Sequence, residues 1–197
     1  MNTNITDYWG RNFDEPFKLI RERAFDYFYF KGGRGSGKST FISLAIVLGI
    51  IKNPNTNAII YRKVGSTVYE SVYTQILWAI DRLNLTNWFK YYKQPMKMVY
   101  LPTGQEIMFK GCDDPQKSKS IKPKKGYFGY CWFEEATDFQ GLDEIENIVQ
   151  SVARSGLGKT AIFLSYNPPQ SVQSWINAEV LRPQQNRFIH HSTYLSI

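Results

Sequence analysis

The chain has 197 residues, of which 43% are hydrophobic and 21% are charged, as expected for a folded domain with a substantial core. Cys112 and Cys131 are its two cysteines and lack C-x-x-C spacing, which argues against a zinc site or a disulfide scaffold and fits a reducing compartment. No apolar run approaches the ~20 residues that a membrane span needs. The formal net charge of +7 favours an anionic partner, although charge alone leaves nucleic-acid binding open.

The predicted elements alternate between strands and helices. A lead-in over residues 1–24, with a short helix near 15–23, precedes a strand over 25–31 and a glycine-rich turn over 32–37. Hydrophobic patterns then predict helices over 38–51, 66–83, 142–154 and 175–181, and strands over 58–62, 127–133, 160–165 and 187–194. Residues 98–101 and 106–110 resemble a β-hairpin, and a lysine-rich loop follows over 111–126. This order predicts an α/β domain with a mainly parallel central sheet flanked by helices.

The strongest motif is a phosphate-binding loop between the first long strand and the helix after it. It satisfies the pattern G-x-x-x-x-G-K-[ST]. Glycine lets the backbone wrap closely around phosphate, and the following helix adds its positive dipole end. In this motif the lysine reaches the β- and γ-phosphates and the next hydroxyl binds Mg²⁺. The residues predicted to hold the nucleotide are Gly32, Gly33, Arg34, Gly35, Ser36, Gly37, Lys38, Ser39 and Thr40.

Two carboxylates follow the apolar strand that ends near residue 133. Glu134 is assigned to the Mg²⁺ shell with Ser39, and Glu135 to the water that attacks the γ-phosphate. The two roles are open to reversal, and a solvated pair at a helix start is the alternative. The next strand ends in Ser165 and Asn167, either of which can hydrogen-bond the γ-phosphate, although a plain Asn-Pro turn also explains this segment. The expected ligands are therefore ATP and Mg²⁺.

The order of four segments resembles the large terminase subunit of tailed bacteriophages over nearly the whole chain. These segments read GGRGSGKST, IIYRKVGSTVYESV, WFEEAT and LSYNPP. The resemblance implies a P-loop NTPase of the additional-strand, catalytic-glutamate (ASCE) class. Lys38, Ser39, Glu134, Glu135 and residues 165–167 fall on the family's functional positions. It also implies an ATPase domain over 1–197 without the family's C-terminal nuclease, so that DNA cleavage by this chain is not expected.

As a working function, the resemblance implies ATP hydrolysis that drives double-stranded DNA into a viral procapsid. The implied partners are DNA of any sequence, the portal protein and the small terminase subunit. The implied assembly is a homo-oligomeric ring in the cytoplasm of the infected bacterial host, with no membrane involved. Another P-loop motor such as a helicase is one alternative, and a nucleotide-binding regulator that hydrolyses slowly is a second.

Several basic and aromatic residues have less specific signals. Arg34 in the loop and Arg62 at a strand end are candidates for the cation that neutralises the γ-phosphate, and a structural ion pair is the alternative for Arg62. Phe13 or Phe17 is a candidate to stack on the adenine. Lysines in the polar loop suit sequence-independent contact with DNA phosphates, while a solvated loop or a subunit contact are the alternatives. These lysines are Lys110, Lys117, Lys119, Lys122, Lys124 and Lys125.

Overall fold

The computed structural model describes residues 8–113, 121–153 and 157–196. Five α-helices and eight strands occur in these ranges. The helices are α1 (Asp14–Glu22), α2 (Lys38–Lys52), α3 (Thr74–Arg82), α4 (Leu142–Val152) and α5 (Trp175–Leu181). The strands are β1 (Tyr27–Gly32), β2 (Thr56–Arg62), β3 (Phe89–Lys93), β4 (Met96–Tyr100), β5 (Glu106–Gly111), β6 (Tyr127–Glu134), β7 (Ala161–Tyr166) and β8 (Arg187–Ser192).

The strands form one sheet in the order β3-β4-β5-β2-β6-β7-β1-β8. Pairing is parallel from β5 to β8, whereas β3, β4 and β5 pair antiparallel with one another. Strand β7 therefore lies between the strand that leads into the phosphate loop and the strand that ends in Glu134. This is the additional-strand arrangement that the sequence predicts. Because β1, β2, β6 and β7 are parallel, their C-terminal ends lie together on one side of the sheet. We call this side the nucleotide edge.

Each face of the sheet has its own core because successive side chains on a strand point to opposite faces. On β1, Phe28 and Phe30 join the core that packs under α2 and α3, while Tyr29 joins the core under α4 and α5. On β6, Trp132 joins the core under α2 and α3, and Phe133 joins the core under α4 and α5. Helix α2 has nine buried residues, as expected for its almost wholly apolar sequence. No helix in the described ranges has the length and apolar character to cross a membrane.

Some predicted bounds are wrong. The helix expected over 66–83 begins as a short 3-10 turn (Gly65–Thr67) and a π-helical turn (Tyr69–Tyr73) before α3. The last strand ends at Ser192 rather than at 194, and β3 is not predicted at all. Strand β3 pairs only with β4 at the edge of the sheet, so tertiary pairing stabilises a segment whose own sequence signal is weak.

Candidate functional site

The glycine-rich turn between β1 and α2 is tightly bent, and its start packs closely against the end of β8. Gly35 and Gly37 have φ angles of 70° and 78°, which glycine adopts without steric cost. A Cβ atom on Gly32 would lie 2.2 Å from the carbonyl oxygen of Ser192. By contrast, a Cβ on Gly33 or Gly35 would meet no other atom within 4 Å. The loop therefore combines the backbone bend and the open inner space that phosphate groups require.

Lys38 lies inside this loop at the first turn of α2. Its Nζ donates hydrogen bonds to the carbonyl oxygens of Gly32 (2.7 Å) and Gly33 (3.0 Å), and to Oγ of Ser36 (3.1 Å). Burial lowers the pKa of Lys38, and the two glutamates at the end of β6 oppose this shift. A buried ammonium group whose direct acceptors are uncharged is well suited to bind an anion.

The end of β7 reaches the same lysine. Oδ1 of Asn167 accepts a hydrogen bond from Lys38 Nζ at 3.3 Å. Ser165, two residues earlier, is buried, and its Oγ accepts a hydrogen bond from Nε1 of Trp132 at 2.9 Å. The structure therefore brings Asn167 to the loop and holds Ser165 against the core below it, so Asn167 is the better placed of the two for contact with a ligand.

Glu134, the last residue of β6, forms an ion pair with Arg62, the last residue of β2. Arg62 Nη1 lies 2.5 Å from Glu134 Oε2, and each side chain is 16% exposed. The two strands are parallel neighbours, so their final residues lie side by side. Arg62 Nε also donates to Thr67 Oγ1 at 3.2 Å. The ion pair that the sequence left open for Arg62 is therefore present, while a contact between Arg62 and phosphate stays a prediction.

Glu135 turns the chain away from β6. Its φ angle of 51° is left-handed, an uncommon conformation for a residue with a side chain. Burial, and then the charge of Glu134, raise the pKa of Glu135, while Arg62 and Lys38 lower it. A carboxylate with a raised pKa accepts a proton more readily than an exposed one, which suits a general base.

Ser39, in the first turn of α2, carries a hydroxyl group that can bind a metal ion. It is half-buried, and within the described ranges its hydroxyl forms no hydrogen bond. Those ranges contain no cluster of three or more His, Cys, Asp or Glu residues that could enclose a metal ion. A P-loop Mg²⁺ needs no such cluster, because phosphate oxygens and water complete its shell. Ser39 and Glu134 offer oxygen atoms of the kind that Mg²⁺ prefers, and their assignment to the ion stays a prediction.

Three other predicted contacts have different surroundings. Arg34 is exposed at the tip of the loop and Thr40 is half-buried on α2. A cavity of about 430 Å³ beside the loop is lined by Tyr8, Trp9, Gly10, Phe13, Gly35, Gly37 and Thr40. Phe13 also stacks on Phe41, with ring centroids 4.6 Å apart, whereas Phe17 lies outside this cavity. Tyr8 and Trp9 lie in no recognisable motif, so their place beside the loop is not predictable from the sequence.

The predicted DNA-binding lysines are separated by the fold. Lys117 and Lys119 lie outside the described residues. Lys110 is half-buried near the end of β5, next to Tyr61 of β2. Lys122, Lys124 and Lys125 are exposed just before β6 begins, at the edge of the sheet opposite the nucleotide edge.

Comparison with known proteins identifies relatives over most of the chain. The sequence model of a family described as "Phage terminase large subunit" matches residues 25–196. The large terminase subunit of Bacillus phage SPP1 is 39% identical over 197 residues, which cover 97% of this chain and 46% of that protein. The PBSX phage terminase large subunit of Bacillus subtilis strain 168 is 32% identical over 121 residues, which cover 60% of this chain and 27% of that protein.

Solved structures share the fold at low sequence identity. The large terminase of a thermophilic bacteriophage matches with a TM-score of 0.75 and 13% identity, over 95% of this chain and 46% of that chain. The N-terminal domain of the DNA packaging ATPase from bacteriophage phi29 matches with a TM-score of 0.65 and 13% identity, over 89% of this chain and 94% of that chain. These matches confirm the predicted P-loop fold class.

The chain spans about half the length of the SPP1 protein and of the thermophilic phage terminase. The family match nevertheless covers most of the chain, including the phosphate loop, both strand-end acids and Asn167. The resemblance inferred from the four sequence segments is confirmed: this chain belongs to the phage terminase large subunit family.

Proposed function

We propose that this domain binds and hydrolyses Mg²⁺-ATP and uses the energy to drive double-stranded DNA into a procapsid. The observation that carries the proposal is the convergence of Lys38, Asn167 and the acidic end of β6 at the nucleotide edge. The large terminase of the thermophilic bacteriophage, which shares this fold, has been solved with ADP and with ATP-gamma-S. Family membership supports the link to DNA packaging.

In this proposal the loop holds the phosphates by its backbone N–H groups and by Lys38. Nζ of Lys38 exchanges its carbonyl acceptors for oxygens of the β- and γ-phosphates. Ser39 and Glu134 would hold Mg²⁺, whose charge would offset the negative charge that develops on the phosphates during transfer. The cavity beside the loop, which Tyr8, Trp9 and Phe13 line, is the proposed place for the adenine.

Glu135 is the proposed base. Its raised pKa helps it to orient the attacking water and to take its proton. Asn167 is the proposed sensor of the γ-phosphate. Its contact with Lys38 changes when that lysine turns to a phosphate, so the end of β7 reports whether the phosphate is present. The hydrogen bond that Ser165 accepts from Trp132 anchors this segment to the core.

Arg62 and Arg34 are the proposed cations for the transition state. In the ion pair Arg62 holds the carboxylate that Mg²⁺ also needs, so metal binding and the ion pair compete for Glu134. Release of Arg62 leaves its guanidinium at the nucleotide edge, where it can neutralise the γ-phosphate. Arg34 is exposed at the loop tip and can act on its own nucleotide or on that of a neighbouring copy.

The assembly is proposed from family membership. We expect residues 1–197 to act as one ATPase domain in a ring of copies at the portal protein, with the small terminase subunit, in the cytoplasm of the infected host.

The test is phosphate release from Mg²⁺-ATP over a series of chain and duplex DNA concentrations. We expect the rate per chain to rise with both, and a forked fluorescent duplex to stay paired. Strand separation would instead indicate a helicase. A rate that responds to neither concentration would contradict a ring motor and favour a nucleotide-binding regulator.

A further inference from the structure

The positive charge of the chain is concentrated in one stretch. Between Asn84 and Tyr127 the sequence contains nine lysines and three acidic residues. This stretch therefore holds six of the seven surplus positive charges, and the remaining residues are almost neutral. It includes β3, β4 and β5 and the segment that leads into β6. Among the described residues, Lys90, Lys93 and Lys97 lie on the antiparallel strands, and Lys122, Lys124 and Lys125 lie in that segment.

Several of these lysines are joined into one continuous strip. The ring of Tyr92 on β3 contacts the ammonium groups of both Lys90 and Lys97, which lie 5.3 and 5.4 Å from its centroid. Lys97 Nζ is 2.7 Å from Oε1 of Glu106. The other oxygen of the same carboxylate accepts a hydrogen bond from the backbone N–H of Lys124 at 3.2 Å. One carboxylate thus links the hairpin to the segment before β6.

Buried polar groups fix that segment to the sheet. Asn57 on β2 is 1% exposed, and its Nδ2 donates to the carbonyl oxygens of Lys125 (2.6 Å) and Tyr127 (3.1 Å). Its Oδ1 accepts the N–H of Glu106 at 2.8 Å. The backbone at residues 124–127 is therefore held in place, and the exposed side chains of Lys124 and Lys125 project from a fixed base.

We infer that this strip, formed by Lys90, Tyr92, Lys97, Lys122, Lys124 and Lys125, binds the phosphate backbone of duplex DNA. The inference rests on the proposed function, from which it takes DNA as the partner. Within the described ranges, Glu106 is the acid that pairs with these lysines, and it is 1% exposed. The exposed ammonium groups of Lys90, Lys122, Lys124 and Lys125 therefore suit a polyanion. Lysine ammonium groups and a tyrosine ring recognise phosphate and sugar without selecting a sequence.

The strip lies away from the nucleotide edge, and strand β6 connects the two regions. Strand β6 begins at Tyr127, next to the strip, and ends at Glu134 in the nucleotide site. Neutralising the strip is therefore expected to change DNA binding and DNA-stimulated turnover, while the basal rate of ATP hydrolysis is unaffected.

The test uses the full chain with Lys90, Lys124 and Lys125 all changed to Gln. The matched control changes three exposed basic residues outside the strip, Lys18→Gln, Arg21→Gln and Arg182→Gln, which removes the same charge. Affinity for a fluorescent duplex of about 30 base pairs is measured by anisotropy over a salt series. We expect the strip variant to lose about 2 to 3 units of the salt slope and roughly 10-fold or more in affinity at moderate salt, because each lost phosphate contact removes about 0.9 of slope. The control is expected to lose less than half as much.

Three other outcomes would contradict the inference that the strip binds DNA. If the unmodified chain binds duplex DNA and both variants lose the same affinity and slope, the strip is not the DNA surface, although the proposed function stands. If the unmodified chain binds no duplex DNA, the DNA part of the proposed function fails together with the strip. If the strip variant keeps its DNA affinity but loses self-association in sedimentation, the strip is a contact between copies, and the inference is wrong.

Discussion

The nucleotide edge and the lysine strip carry positive charge in opposite ways. At the nucleotide edge Lys38 and Arg62 are largely buried, and two glutamates balance them. In the strip Lys90, Lys122, Lys124 and Lys125 are exposed to solvent, while Lys97 is paired with the buried Glu106. A balanced, enclosed site suits a small anion with its metal ion, whereas an unbalanced, exposed surface suits a long polyanion. Positive charge alone therefore does not identify a binding site; the burial of the charged groups and the presence of countercharges indicate which kind of anion binds.

The nucleotide edge depends on the close approach of β8 to the loop. Changing Gly32 to Ala puts a Cβ atom 2.2 Å from the backbone oxygen of Ser192, and backbone cannot move as a flexible side chain can. We expect the free energy of unfolding to fall by roughly 3 kcal/mol, measured by urea denaturation. The matched control is Gly33→Ala, because a Cβ there meets no atom. If both variants lose the same free energy of unfolding, the close contact between β8 and the loop is not what excludes a side chain at Gly32.

The lysine strip depends on a buried amide instead. Changing Asn57 to Ala removes the partner of two carbonyl oxygens and of the N–H of Glu106. We expect a loss of roughly 2 kcal/mol in the free energy of unfolding, together with weaker binding of duplex DNA. The neighbouring change Asn55→Ala, at an exposed side chain, is expected to do neither. If Asn57→Ala leaves DNA affinity intact, the segment does not need this support to present its lysines.

The sequence predicted the nucleotide edge far better than the antiparallel end. The phosphate loop, the pair Glu134 and Glu135, and the turn at Asn167 are local signals, since each follows an apolar strand directly. Strands β1, β6 and β7 were predicted to within two residues at each end. These features need only the alternation of strands and helices to be brought together.

The rest depends on which strands are neighbours. The ion pair between Arg62 and Glu134 exists because β2 lies beside β6, an order that no local pattern specifies. Strand β3 has a mixed run of tyrosine and lysine that becomes a strand by pairing with β4. The role of Asn57 is likewise invisible in the sequence, because its partners are 49 to 70 residues away.

The most direct test of the nucleotide edge is the rate of phosphate release by a Glu135→Gln variant, with binding of Mg²⁺-ATP followed by calorimetry. We expect turnover to fall by about 10²- to 10⁴-fold, the usual contribution of a positioned general base, while ATP affinity stays close to that of the unmodified chain. The exposed change Glu22→Gln serves as the control. Unchanged turnover in the Glu135 variant would contradict the assignment of the base, and an unmodified chain with no affinity for Mg²⁺-ATP would contradict the account as a whole.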